Sequence, residues 1–110
     1  MKILTRSDEM LMLTILRLRD NAYGVTIIRD IYKRTGKELK LGGLWVSMDN
    51  LYKKGLIDKH LADPTPERGG KSKMYYTITQ EGRETLVNVR KIQDVLWQGI
   101  SEKLDLEGEY

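Results

Sequence analysis

Two short stretches of this chain carry the residue types that recognise a polyanion. The first runs from Lys40 through Gly42-Gly43 to Trp45, Ser47, Asn50 and Lys53. Glycines such as Gly43 let a backbone be approached closely, and the side chains that follow recur at helical spacing. The second is Arg68-Gly69-Gly70-Lys71-Ser72-Lys73, in which three cations surround a flexible pair of glycines. Tyr23 adds a phenolic donor at the start of a further helical stretch, where free backbone N–H groups point at anions. Ser47 and Asn50 are of the type that hydrogen-bonds base edges or phosphate oxygens, while Lys40, Lys53, Arg68, Lys71 and Lys73 supply charge. Each also has a plainer reading. Gly42-Gly43 is also what a turn before a helix needs, Asn50 and Lys54 fit a solvated helix face, and the basic segment fits a charged turn. Trp45 and Tyr23 fit core packing as well as they fit a contact with a partner. Asp49 lies among these residues and must face away from a polyanion or pair with a lysine.

Other chemistry is poorly supplied. The sequence has no cysteine and one histidine, His60, so thiolate ligation and disulfides are excluded and a usual zinc site is not expected. Gly69-Gly70-Lys71-Ser72 has a superficial likeness to a phosphate loop. It lacks the first glycine at the required spacing and lies in a hairpin, not between a strand and a helix. No serine, cysteine or carboxylate pair has a plausible partner array for catalysis. The expectation is a binding protein without enzymatic activity, metal or cofactor.

The charge is unevenly distributed. Net charge is +3 over 110 residues, but residues 29–73 carry eleven Lys or Arg against six Asp or Glu. Residues 74–110 carry four basic against seven acidic groups. A basic centre suits a polyanionic partner. The longest apolar stretch, near Met10 to Leu18, is broken by Thr14 and Arg17 and is too short to cross a bilayer. With no apolar run behind a basic start, no signal peptide is expected, and the cytoplasm is the default location.

The elements that must position these residues follow from periodicity. A helix is predicted from about Ser7 to Arg19, with Ser7 or Thr5 as cap and Leu11, Ile15 and Leu18 in one row. A second runs from about Tyr23 to Thr35, with Val25, Ile28, Ile31 and Tyr32 on its apolar row and Gly36 as stop. A third starts near Gly42-Gly43 and ends at Lys54, burying Leu44, Met48 and Leu51. The period then falls to two. Leu56–Ala62 and Lys73–Ile78 read as strands around a Pro- and Gly-containing turn, with Tyr75 and Tyr76 expected in the core. A last helix, capped by Thr79, continues to about Gln98. Its stripe of Leu86, Val89, Ile92, Leu96 and Ile100 has little chain left to cover it, so a second copy of the protein is the simplest cover. The predicted fold is α+β, mainly α: a winged helix-turn-helix over residues 1–78, a dimerisation helix over 79–100, and a frayed acidic tail over 101–110.

Three motifs in this order resemble the PadR family over roughly residues 8–98. They are Ala22-Tyr23-Gly24, then Leu41-Gly42-Gly43-Leu44-Trp45 through Leu51 to Gly55-Leu56-Ile57, and then Gly69-Gly70-Lys71-Ser72-Lys73-Met74-Tyr75-Tyr76-Thr77-Ile78-Thr79-Gln80-Glu81-Gly82-Arg83. The resemblance implies a homodimeric winged-helix repressor that occupies an operator in double-stranded DNA. It also implies that a small-molecule effector can release the DNA. Trp45-Val46 departs from the Tyr-Pro of many members, and the single C-terminal helix matches the short subtype. Some multidrug-binding members stack flat ligands on a tryptophan of the last helix. Gln93 takes that position here, and Trp97, one turn later, is the remaining ligand candidate. A winged-helix protein-interaction module that does not bind DNA is the alternative.

Overall fold

The computed structural model describes residues 3–62 and 73–104. Helix α1 (Arg6–Leu18) begins where Thr5 Oγ1 accepts the Asp8 N–H at 3.0 Å and the Asp8 carboxylate accepts the Thr5 N–H. This reciprocal box satisfies two of the donors that a helix start leaves unpaired. A 3-10 turn over Arg19–Asn21 leads to α2 (Gly24–Thr35). There Thr26 Oγ1 accepts the Tyr23 N–H at 3.0 Å and its hydroxyl donates to the Asn21 carbonyl at 2.6 Å. Gly36 ends α2 at φ 75°, a left-handed conformation that glycine adopts without a Cβ penalty.

Helix α3 (Leu41–Lys53) follows, then an antiparallel pair of strands, β1 (Ile57–Leu61) and β2 (Met74–Ile78). The register sets Ile57 opposite Ile78, Lys59 opposite Tyr76 and Leu61 opposite Met74. The short segment before α2 adds a third row: the Tyr76 N–H donates to the Ala22 carbonyl at 2.9 Å, and Tyr23 bridges Tyr75. Helix α4 (Gln80–Trp97) and the short α5 (Ile100–Leu104) complete the described residues, with Gly99 at φ 73° between them. This is the winged helix-turn-helix order.

The core lies between the three helices and the inner face of the sheet. Met12, Ile15, Ile27, Ile31, Met48, Leu51, Leu56 and Ile57 are fully buried, and Leu86 of α4 joins them. Thr79 ties α4 to this core. Its hydroxyl donates to the Gly55 carbonyl at 2.8 Å, its N–H donates to the Leu56 carbonyl, and its Oγ1 accepts the Gly82 N–H at 2.9 Å. A Cβ on Gly82 would collide with the Leu56 carbonyl oxygen and lie 2.8 Å from Ile78 Cγ2. Gly82 is therefore demanded by the close passage of α4 over the turn that ends α3.

Several sequence expectations need correction. Thr5, not Ser7, caps α1. The buried row of α2 is Gly24, Ile27 and Ile31, while Val25 and Tyr32 are exposed. Both rows have helical spacing, and Gly24 has no side chain to mark it as buried. Yet α3 packs there, with Leu41 Cδ1 3.0 Å from where a Cβ would stand. Helix α3 starts at Leu41, ahead of the glycines. Tyr76 is buried, but Tyr75 alternates to the other face of β2 and is half-buried. Residues 101–104 belong to α5, so the expected frayed tail does not begin at Ser101. The expectation for residues 105–110 lies outside the described residues.

Two glycine substitutions separate packing from surface. Gly82→Ala should lower unfolding free energy by roughly 1–3 kcal/mol, because backbone and Ile78 must shift. Gly42→Ala, whose Cβ meets nothing within 4 Å, should be neutral or stabilising by up to about 1 kcal/mol. Urea unfolding of both variants checks this, and equal losses would contradict the packing described.

Candidate nucleic-acid interface

Helix α3 presents three distinct sides. Leu44, Met48 and Leu51 face the core. Trp45, Asp49 and Tyr52 face the hairpin. The Trp45 ring lies 6.2 Å from that of Tyr76 in a tilted arrangement. The Asp49 carboxylate accepts from Lys53 at 3.1 Å along the helix and meets Lys59 of β1 at 3.7 Å. Lys59 also stands 4.6 Å from the centroid of the Tyr52 ring. Trp45, Val46, Asp49, Lys59, Met74 and Tyr76 line a hollow of about 310 Å³ between α3 and the sheet.

The third side points outward. Gly42, Val46, Asn50 and Lys53 follow at intervals of four, four and three, which places them on one helical face opposite the core. Neither Gly42 nor Gly43 has an atom of a described residue within 4 Å of where a Cβ would stand, so packing among the described residues does not require glycine there. Asn50 is exposed, and its carboxamide makes no hydrogen bond to another described residue. Lys40 is exposed at the N-cap without a side-chain cap.

The electrostatics of α3 centre on Asp49, on its hairpin side. The Lys53 hydrogen bond and charge, with a smaller contribution from Lys59, hold its carboxyl below the usual carboxylate range. The negative group on this helix is thereby matched by cations of its own chain, as the sequence required of it. Tyr76 is affected in the opposite sense. Burial, and secondarily the Asp49 charge, push its phenol up to about 12.

The remaining candidates fall into two groups. Tyr23, Tyr75 and His60 form an aromatic run across the outer face of the sheet, with ring centroids 5.3 Å apart for Tyr23–Tyr75 and 5.7 Å for His60–Tyr75. The Lys73 ammonium lies 4.1 Å from the Tyr23 ring centroid. Tyr23 and Lys73 are thus joined, and the stem of the hairpin is fastened to the start of α2. Ser47 turns toward α1, half-buried beside a small hollow lined by Ser7, Met10, Leu39, Lys40 and Gly43 among others. Arg68 and Lys71 lie outside the described residues. Sequence reasoning missed Val46, Tyr52 and Lys59. Lys59 shares the strand face of Ile57 and Leu61, but its link to Asp49 of α3 leaves no signal in the sequence. Val46 could have been found from its spacing of four from both Gly42 and Asn50.

On α4, Leu86 belongs to the protomer's own core, Val89 is half-buried, and Ile92 and Leu96 are exposed; Ile100, expected on the same helix, opens α5 beyond Gly99 and is half-buried. Val95 and Trp97 are exposed beside them. Gln93 donates to Glu9 at 3.0 Å, tying the middle of α4 to the start of α1. No described helix is long and apolar enough to cross a membrane.

Three packed helices, with the third exposed ahead of a two-stranded hairpin, define a winged helix-turn-helix regulator. The sequence profile of the transcriptional regulator PadR-like family matches residues 12–88, and the chain belongs to that family. It is similar to a PadR family transcriptional regulator from Eggerthella lenta, with 26% identity and a TM-score of 0.70 over 93% of this chain and 87% of the other. A PadR-like transcriptional regulator from Bacillus cereus has 21% identity and a TM-score of 0.69 over 90% and 92%. One from Clostridium difficile has 24% identity and a TM-score of 0.62 over 89% and 94%. The last two likenesses speak for the fold alone. No curated protein sequence matches.

The position of Tyr76 is open to titration. Its neutral form is favoured in the folded state, so this stabilising contribution is present below about pH 10 and is lost as pH rises through about 12. Ultraviolet titration should show one of the six tyrosines ionising late, and Tyr76→Phe should remove that component. A late component that survives the substitution would contradict the assignment.

Proposed function

We propose that this chain binds a two-fold symmetric DNA operator as a homodimer and represses transcription, with α3 in the major groove and the basic hairpin against the backbone or minor groove. The observation that carries this reading is the outward face of α3. It combines a pair of glycines with open space above them, an exposed carboxamide at Asn50, and lysines at both ends, Lys40 and Lys53. A major groove admits one helix, and short side chains on that helix reach base edges while lysines meet phosphates. Family membership supports the same reading.

The homodimer is supported by the exposed apolar end of α4. Ile92, Val95, Leu96 and Trp97 lie beyond the reach of the protomer's own core, with Leu96 68% exposed. Together with Val89 and Ile100 they offer a second copy an apolar strip, and Leu86 anchors that strip from beneath. Trp97, 49% exposed, is the residue of this strip best suited to stacking a flat effector. The DNA-binding unit in this reading is residues 1–78, and the dimerisation unit is 79–100. The protein acts in the cytoplasm. A protein-interaction module without DNA binding drew its support from the acidic Asp49 on the recognition helix. The pairing of Asp49 with Lys53 and Lys59 weakens that reading.

Selection of bound DNA from a random pool, followed by affinity measurement at several salt concentrations, tests the proposal. Half-sites about 34 Å apart should emerge, occupied by two protomers. If the dimer neutralises about eight phosphates, log K should fall against log salt with a slope near −7. Lys71→Ala and Lys73→Ala should weaken binding on all sequences. Asn50→Ala should cost about 1–3 kcal/mol on the preferred site and relax its sequence preference. Binding indifferent to salt, or an Asn50 effect equal on every sequence, would overturn the proposal.

A further inference from the structure

Val46 occupies the centre of the outward face of α3, between Gly42 one turn before and Asn50 one turn after. It is 63% exposed. A β-branched residue gains nothing there from helix propensity, and an exposed apolar side chain gains nothing from the protomer core. Toward the sheet Val46 borders the hollow it shares with Trp45, Met74 and Tyr76, while its neighbours along the outward row are polar or bare. Gly42 and Gly43 have open space above them, and Asn50 presents a free carboxamide. The flanking charges are positive. Lys40 and Lys53 stand thirteen residues apart, about 20 Å along the axis at the helical rise, and the Asp49 carboxylate of the same helix is paired with Lys53 itself and with Lys59. An apolar side chain set between cations matches a surface whose rims are anionic and whose floor carries a methyl group.

The major groove has that character. Its phosphates line both edges, and the only apolar group on its floor is the C5-methyl of thymine. We propose that Val46 is a specificity-determining residue that packs against a thymine methyl in each half-site. Asn50, one turn further along the same face, reads a neighbouring adenine through its N6 and N7. The bare backbone at Gly42-Gly43 lets the start of the helix sink far enough for the isopropyl group to touch the methyl. This assignment rests on the DNA-binding reading of α3 and adds to it the chemical identity of one base contact.

The test removes the methyl from the DNA and the isopropyl from the protein. In the operator recovered by selection, each thymine of one half-site is replaced in turn by deoxyuridine, which differs only by that methyl. Affinities are then measured by fluorescence anisotropy for the intact protein and for Val46→Ala. Alanine favours the helix, so the variant keeps its fold, checked by circular dichroism. Burying one methyl corresponds to about a four-fold change in affinity. One thymine per half-site should show a loss of about that size with the intact protein and less than a two-fold loss with Val46→Ala. Equal sensitivity of both proteins at every thymine would overturn the assignment, as would an operator with no thymine that responds, while leaving salt-dependent binding intact. Failure of the intact protein to bind DNA in a salt-dependent way would instead remove the reading on which it rests.

Discussion

The junction at Gly55-Leu56 is the constraint from which the rest of the molecule follows. Gly55 takes φ 78°, which turns the chain out of α3 and into β1. Thr79 then returns to the same turn after the hairpin, bonding both the Gly55 and the Leu56 carbonyls, and caps α4 with the same side chain. Gly82 permits the close passage that this requires. One small cluster therefore fixes the end of α3, both strands of the hairpin and the direction of α4. The motif residues Gly55, Leu56, Thr79 and Gly82 serve this junction.

With its core side held by this junction, α3 is left with two free sides of different character. The hairpin side is closed by ion pairs and rings, namely Asp49 with Lys53 and Lys59, Lys59 beside Tyr52, and Trp45 beside Tyr76. Exposed ion pairs of this kind add little stability individually. Their effect here is directional. They tie the hairpin stem to the helix and balance the Asp49 charge with two cations of the same chain. On the other strand face, Lys73 against the Tyr23 ring fastens the hairpin to the start of α2. The two lysine–aromatic contacts, one on each face of the sheet, brace the wing against the helix-turn-helix.

Much of this was legible in the sequence, because strong local signals agreed with the fold. The change of period after Gly55, the cap at Thr79 and the buried side of α3 were all readable. Failures came where a side chain's absence carries the information. Gly24 marks the packed side of α2 by having no Cβ, so a search for apolar rows selected Val25 and Tyr32 instead. The pairing of Asp49 with Lys59 joins residues ten apart on different elements, and no periodicity reports it. Leu86 was indistinguishable from Ile92 and Leu96 in pattern, although only Leu86 lies near enough to the junction to be buried. The outward face of α3 was half-read. Asn50 and Lys53 declared themselves by type, whereas Val46 declares itself only by its spacing of four from Gly42 and Asn50, and its apolar side chain points by type to a core.

These observations converge on one claim, that the face of α3 opposite the core is the surface that meets DNA. Titration of isotope-labelled protein with operator DNA, followed through backbone amide chemical shifts, addresses it most directly. The largest changes should fall at Gly42, Gly43, Val46, Asn50 and Lys53, with Leu44, Met48 and Leu51 and the exposed end of α4 little altered. Large changes confined to α4 and α5, with the outward residues of α3 unmoved, would contradict it.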